Sequence, residues 1–373
     1  MDVAGRRVLI VLPSIAALGG AERQALLLAG ALVQAGAAVH VWGGQPPGHV
    51  AEQARALGAP VRQVELELRV RNWRLWLNLR AFARQVRAGR FDWIVPYTNG
   101  PNIFCAMTWR KARARACIWN QRDEGQRLGI KPVDFKAVQR SPVLVSNSIH
   151  AGRMLVERLG ADPRRIRVVH NGVQLAPPER SPSQWRQELA IVEGVLAAVM
   201  PANLTPRKDH ATLITAWVGV LRQHPRAVLV LAGEHGEEME ACRALAAQLG
   251  VESAIRFPGP VRDIAGLLAA MDFGVFSSRM EGCPNGVLEC MAAGLAVAGT
   301  DIPGIREAVG QGAAGLAPPG DAPALAAEIA ALLADKQLRA SEGERNRARS
   351  AADFSPSRMV EGMVAALREA EHG

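Results

Sequence analysis

Residues 272–301, DFGVFSSRMEGCPNGVLECMAAGLAVAGTD, read in order as strand, loop, helix and strand. DFGVFSS is a short apolar run ending in serines, and Pro284 stands where the first turn of a helix tolerates a missing N–H. The spacing predicts a helix from about Asn285 to Met291. Gly294 stops it, and LAVAG (295–299) is the next buried strand. Glu281 therefore falls in the loop ahead of the helix and Glu289 about two turns further on, facing one ligand-sized region. A helix N-terminus offers unpaired N–H groups and partial positive charge that suit a phosphate, whereas carboxylates repel it. The two acids fit if they accept hydrogen bonds from hydroxyls flanking the phosphates, while the helix end and a cation elsewhere hold the anion. A diol, a diphosphate and a polyol in one molecule make a nucleotide sugar. The plainer reading is one capping acid and one solvated acid.

The same alternation runs outward along the chain. Strand candidates at 7–12, 38–42, 61–66, 91–96, 115–119 and 142–146 are separated by helical patterns such as AERQALLLAGALVQAG, and a second series follows at 195–200, 227–232, 254–257, 272–277 and 295–299. Between the series lies the proline-bearing stretch LAPPERSPSQW (175–185). The expectation is an α/β protein of two Rossmann-like domains with parallel sheets facing an interdomain cleft, ligands binding at the carboxyl ends of the strands. The first domain takes residues 1–175, a linker 176–190 and the second domain 191–355. A terminal helix within 356–373 follows FSPS and packs back on the first domain.

At 373 residues the chain is long enough for two domains, and its 36 glycines, 23 prolines and 49% hydrophobic content are those of an ordinary soluble protein. Five cysteines, Cys105, Cys117, Cys242, Cys283 and Cys290, show no C-x-x-C spacing, which argues against a zinc site or a disulfide scaffold and fits a reducing cytosol. Cys283 lies inside the glutamate segment, but no adjacent base marks it as a nucleophile. The start, MDVAGRRVLIVLPSIAALGG, has the charge and apolar order of a secretory leader. Pro13 interrupts it, and a buried strand over 7–12 explains it better. No run is long enough to span a bilayer. Residues 1–188 hold 28 Lys and Arg against 13 Asp and Glu, whereas the remainder holds 16 against 22. A basic first half suggests an anionic partner.

MPANLTPRKDHATLI (200–214) runs from the end of the second series' first strand through a loop into a helix, and Arg207 and Lys208 sit in that loop. Two cations at a strand end can neutralise a diphosphate without a metal. LGGAERQ (18–24) places Gly19 and Gly20 before a helix after the first strand of the other domain, where glycine lets backbone approach a ligand or merely turn tightly. LELRVRNWRLWLNLRAFARQVRAGRF (66–91) carries Arg69, Arg71, Arg74, Arg80, Arg84 and Arg87 with Trp73 and Trp76 among them, and WRKARAR (109–115) adds to the same basic side. Such a helix can lie on an anionic membrane. A surface helix whose tryptophans pack inward is the plainer alternative. Neither stretch belongs to a nucleic-acid module.

The P-R-K loop, AGE (232–234), FPG followed by RDI (257–264), E-G-x-P-N-x-x-x-E-x-M-A-A-G and TDIPGIRE (300–307), in that order, resemble the retaining glycosyltransferases of family four, which have the GT-B fold. GGAER near the start and VVHNGV before the linker match as well, so the resemblance covers nearly the whole chain. It implies that Lys208 contacts the donor diphosphate, that Glu289 binds the ribose hydroxyls and that Glu281 lies beside the transferred sugar, with Glu281 and Lys208 carrying the catalysis. The amides of Gly282, Cys283, Pro284, Asn285, Gly286 and Val287 are the stretch that approaches sugar and phosphate, with Gly19 and Gly20 closing the donor site from the other domain. Proline contributes no N–H to that set.

Two departures stand out. Many relatives have arginine where this chain has Asn203, which makes Arg207 or another arginine the second phosphate cation. Many also offer a His-Asp pair where this chain reads IWNQRDEG (118–125), leaving Asn120, Arg122 and Asp123 as contacts for acceptor or sugar. The implied activity is transfer of a hexose from a nucleotide sugar, UDP above all, with retention, no metal and no cofactor, since the nucleotide sugar is a substrate. The implied setting is cytoplasmic, at the inner face of the membrane, with a lipid-linked or envelope glycan acceptor. Alternatives are another GT-B activity, such as a nucleotide-sugar epimerase, or a non-catalytic nucleotide-binding or membrane adaptor of the same fold.

Overall fold

Among the described residues, thirteen short strands, most of them apolar runs of four to six residues, assemble into two wholly parallel sheets. The computed structural model describes residues 3–68, 72–123, 131–234, 236 and 238–372. They fall into two units, Met1–Gly172 with Pro356–Gly373, and Val173–Ser355.

In the first unit, β1 (Arg7–Leu12), β2 (Ala38–Gly43), β3 (Val61–Gln63), β4 (Trp93–Pro96), β5 (Ala116–Gln121), β6 (Val143–Ser146) and β7 (Ile166–Val168) lie in the order β3-β2-β1-β4-β5-β6-β7. The central strands are buried on both faces, which explains why RVLIVL and WIVP read as continuous apolar runs rather than alternating ones. The second unit repeats the plan with β8 (Ala197–Pro201), β9 (Val228–Ala232), β10 (Ile255–Gly259), β11 (Phe273–Phe276), β12 (Ala296–Thr300) and β13 (Leu316–Ala317), ordered β10-β9-β8-β11-β12-β13. In each sheet the order reverses beside the first strand, between β1 and β4 and between β8 and β11. In doubly wound sheets that reversal opens a crevice at the strands' carboxyl ends.

Several boundaries differ from the sequence reading. β7 and β13 are edge strands of three and two residues, too short for a hydrophobic period to mark, and β7 carries Arg167 at its centre. The strand expected over 61–66 ends at Gln63. Residues 176–190, expected as a linker, contain the helix Pro182–Glu188, capped by Ser181. Asp263 holds this stretch to the second unit by accepting hydrogen bonds from Glu179 N, Arg180 N and Trp185 Nε1 at 3.1, 3.0 and 2.9 Å, and from Gly266 N at 3.0 Å.

The last helix, Pro356–His372, belongs to the first unit. Its Met359, Met363, Val364 and Leu367 share a core with Val8, Ile10, Trp93 and Ile118, and Glu371 accepts from Arg6 Nη1 at 2.6 Å and Trp93 Nε1 at 3.0 Å. The basic helix Asn72–Gly89 packs Phe82 and Val86 against Trp42, Phe91 and Phe104, while Trp76 is 51% exposed. Trp76 therefore does not pack inward. Arg69, Arg71 and the side chain of Trp73 lie outside the described residues.

Candidate functional site

Within the second unit, the loop after β8 and the loop after β11 meet at the reversal point of the sheet. Pro206–Lys208 forms one 3-10 turn, and Asp209 then takes a left-handed φ of 50°, uncommon without glycine. Its side chain caps the following helix His210–Gln223, accepting from Thr212 N at 3.3 Å and Thr212 Oγ1 at 2.7 Å. The second loop clasps this turn. Ser277 Oγ donates to the carbonyls of Lys208 and Asp209 at 3.0 and 2.8 Å, Arg279 N donates to Arg207 O at 2.9 Å, and Arg279 Nε donates to Asp209 Oδ2 at 2.8 Å. That hydrogen bond, with the charge behind it, raises the Arg279 pKa.

The clasp directs Lys208 toward Glu281. Lys208 Nζ donates to Glu281 Oε1, which also accepts from Ser278 Oγ at 2.9 Å. The two side chains are only 23% and 13% exposed, so the ion pair is largely shielded from water. Ser278 is held in turn by Thr300 Oγ1, which donates to its carbonyl. A Cβ at Gly304 would lie 2.1 Å from Glu281 O, so only glycine allows the helix Pro303–Val309 to approach the Glu281 loop this closely.

The helix Asn285–Ala292 begins directly after this loop, with buried Pro284 at its cap. Gly282 is buried, and Cys283 and Asn285 are half-buried. Val287 points into the core and Gly286 packs on Pro201 O, so only their backbone can face a ligand. Glu289 is half-buried one turn along, beside Cys290, whose thiol is pushed well above its ordinary range by burial and then by the Glu289 charge. Asn203 is exposed, and its Oδ1 accepts from Glu234 N at 3.1 Å, tying the β8 loop to the end of β9. Arg207 is exposed beside Lys208. Among the described residues, no three His, Cys, Asp or Glu come together as a metal site.

Sequence reasoning missed the residues behind this pair. Ser277, Asp209 and Arg279 have no recognisable spacing, because their roles arise only where the two loops touch. His210 was missed as well. It is buried at the start of its helix with neither ring nitrogen hydrogen-bonded, and burial, helped by the Lys208 charge, lowers its pKa to about 4. It is therefore a neutral imidazole at ordinary pH.

In the first unit, Gly19 caps the helix Gly20–Gln34 after β1, and a Cβ there would meet Glu22 Oε2 at 2.6 Å. Gln24 holds the turn at Gly172 through two hydrogen bonds of 2.9 Å, one to its carbonyl and one from its N–H. Past β4 and β5 lies a polar group that the sequence indicated only in part. Asn120 is fully buried, exchanging bonds of 2.9 and 3.0 Å with the side chain of Asn102. Arg122 donates to Asn120 Oδ1 at 3.4 Å and to Asn171 Oδ1, and its guanidinium lies 5.6 Å from the Tyr97 ring centroid. Burial pushes the Tyr97 hydroxyl up to about 12, against smaller opposing effects of Arg122 and Asn120. Asp123 accepts from Gln121 Nε2 at 2.7 Å. Arg122 and Asp123 are half-buried, whereas Asn120 lies fully buried and accepts from Arg122.

Residues 18–176 match the family model Glycosyltransferase Family 4, and residues 196–335 match Glycosyl transferases group 1. The D-inositol 3-phosphate glycosyltransferase of Geodermatophilus obscurus is 33% identical over 298 residues, which are 76% of this chain and 64% of that protein. The protein of the same name from Salinispora arenicola is 28% identical over 302 residues, 76% of this chain and 67% of its own. The chain spans about half to two thirds of the length of the curated relatives it matches. Among solved structures, Anabaena HepE in complex with UDP and glucose superimposes with a TM-score of 0.84 at 20% identity, covering 97% of this chain and 99% of that one. WaaG, a glycosyltransferase involved in lipopolysaccharide biosynthesis, gives 0.70 at 17% identity, covering 96% and 98%. At such identities the likeness concerns the fold, the GT-B arrangement of two parallel α/β units. The two family models between them run over most of the sequence, and the chain belongs to the group 1 glycosyl transferases of glycosyltransferase family 4.

Proposed function

We propose that the protein transfers a hexose from a UDP-sugar to a lipid-linked or polysaccharide acceptor of the cell envelope, with retention at the anomeric carbon and without a metal. The observation that carries this reading is the contact of Lys208 with Glu281 at the reversal point of the second sheet, directly before a helix N-terminus. Breaking the anomeric bond leaves an oxocarbenium-like centre and a diphosphate, so stabilising the departing charge supplies most of the rate. Lys208 takes that charge together with the helix end at Asn285, and Arg207 adds a second cation. Glu281 addresses the transferred sugar and Glu289 the ribose hydroxyls. Gly19 and Gly20 let backbone near the donor, and Arg122 and Asp123 contact the acceptor. The departing phosphate oxygen accepts the acceptor's proton on the same face, so no protein base is needed. HepE, described with UDP and glucose, supports a UDP-sugar donor, and the curated relatives' name, D-inositol 3-phosphate glycosyltransferase, supports glycosyl transfer. The reading includes work at the cytoplasmic face of an anionic membrane through residues 66–91 and 109–115. Among the described residues no helix is long and apolar enough to cross a membrane.

The test is a thermal-shift screen of nucleotides and nucleotide sugars, followed by transfer assays with EDTA present and the product anomer read by NMR. UDP at about 100 times its Kd should add about 2.7 kcal/mol of apparent stability. If no UDP, GDP or ADP species shifts the melting temperature, the donor-site reading fails. An inverted product anomer would reject retention, and release of an epimerised sugar without acceptor would favour the epimerase.

A further inference from the structure

The helix Asn72–Gly89 has two dissimilar faces. Leu75, Leu79, Phe82 and Val86 recur at helical spacing and pack with Trp42, Phe91 and Phe104, and Ala83 is buried. At about 100° per residue, Trp76, Leu77, Arg80, Arg84 and Arg87 fall within an arc of roughly 100° on the opposite side. All five are exposed, and Trp76 at 51% and Leu77 at 48% rank with the few large apolar side chains that the described residues leave open. The Arg80 guanidinium lies 4.1 Å from the Trp76 ring centroid. No acid occurs in the 18 residues of the helix.

We infer that this outward face is a docking surface for an anionic lipid bilayer, with Trp76 and Leu77 entering the headgroup region and Arg80, Arg84 and Arg87 pairing with lipid phosphates. The inference rests on the membrane part of the functional reading and narrows it to one face of one helix. Two features favour a bilayer. An indole and a leucine side by side at the level of flexible arginine stems match an interface that is apolar below and charged above. The one-signed row of arginines matches a surface of anionic headgroups, which attracts each basic residue near it by about 1 kcal/mol, or about fivefold in partitioning. A nucleic acid would reward the arginines equally but would gain less from an exposed leucine.

The experiment is co-sedimentation of the full chain with vesicles of phosphatidylcholine alone and of phosphatidylcholine mixed equally with phosphatidylglycerol. Wild type should pellet with the mixed vesicles only, Arg80→Glu/Arg84→Glu should lose at least about 25-fold in partitioning, and Trp76→Ser/Leu77→Ser about tenfold. Both variants should keep the wild-type melting temperature and its shift with UDP. Arg222→Glu/Arg226→Glu, two exposed arginines of the second unit outside both basic stretches, should stay within about threefold of wild type. Equal pelleting with neutral vesicles, no pelleting at all, or a loss in the Arg222/Arg226 variant as large as that in the Arg80/Arg84 variant each overturns the inference. Binding to single-stranded DNA as tight as to mixed vesicles would transfer the face to nucleic acid. None of these results touches the donor reading, which stands or falls on the UDP shift.

Discussion

Replacing Glu281 with glutamine should tighten the binding of UDP while slowing transfer. Lys208 Nζ is engaged by Glu281 Oε1, and both side chains are largely shielded. Two unit charges about 4 Å apart attract by about 4 kcal/mol at an effective dielectric constant of about 20. Desolvation of both groups cancels much of this, leaving a net coupling of about 1–2 kcal/mol. A diphosphate entering this site must share the ammonium with the carboxylate and also meets its negative charge. Glutamine keeps an oxygen that can accept from Lys208 and from Ser278 Oγ, but it removes the charge, so UDP affinity should rise by about five- to thirtyfold. The transferred sugar would lose its carboxylate contact, and kcat should fall by about 100-fold or more. Titration calorimetry with UDP and a UDP-release assay read the two effects separately. Unchanged or weaker UDP binding in Glu281→Gln, with the fold intact, would refute the idea that this carboxylate competes for the cation.

Three further outcomes follow elsewhere in the second unit. His210 has a folded pKa of about 4, below its unfolded value near 6.5, so the unfolded chain binds the proton first as pH falls. Its contribution is complete above about pH 6.5 and drains away toward pH 4, by about 3 kcal/mol in all, and urea unfolding of His210→Gln should show a correspondingly flatter pH dependence. Asp263→Ala should cost about 3–5 kcal/mol in chemical denaturation, because it orphans Trp185 Nε1 and three backbone donors. Although burial pushes the Asp263 carboxyl up, those donors outweigh it and hold the folded pKa low, so its stabilisation is present above the ordinary carboxylate range and lost as pH falls through the folded value. Gly304→Ala should cost about 1–3 kcal/mol by forcing its Cβ onto Glu281 O, and kcat should drop more than the melting temperature suggests; normal turnover would show that the loop yields freely.

The architecture was legible where burial on both faces writes an unbroken apolar run, as in RVLIVL, VLVLA and FGVF. It was illegible at the β7 and β13 edges, though not at β3 and β10. IRV and LA are too short for any period, and the helix Lys336–Asp353 is so polar that its pattern gives no apolar stripe. Lys208 and Glu281 could be singled out because each lies in the loop of a strand-loop-helix unit. Their contact could not, since it depends on Ser277 reaching the Lys208 carbonyl and on Arg279 reaching Asp209, nearly seventy residues away. The orientation of Trp76 depended on which side of its helix the core lay, and only the packing of Phe82 and Val86 decided that.

The return of Pro356–His372 to the first unit bears on how the protein is made. Met363 and Leu367 complete a core whose other members, Val8, Ile10 and Trp93, emerge from the ribosome far earlier. The first unit therefore waits, with one apolar flank uncovered, while the whole of Val173–Ser355 is translated, an interval on the order of ten seconds or more. The second unit is continuous and can close its own core first. A chain cut at Ser355 would leave the amino-terminal unit, not its neighbour, exposed to aggregation. A stand-alone version of that unit would need residues 356–372 grafted onto residues 3–172 by a new connection.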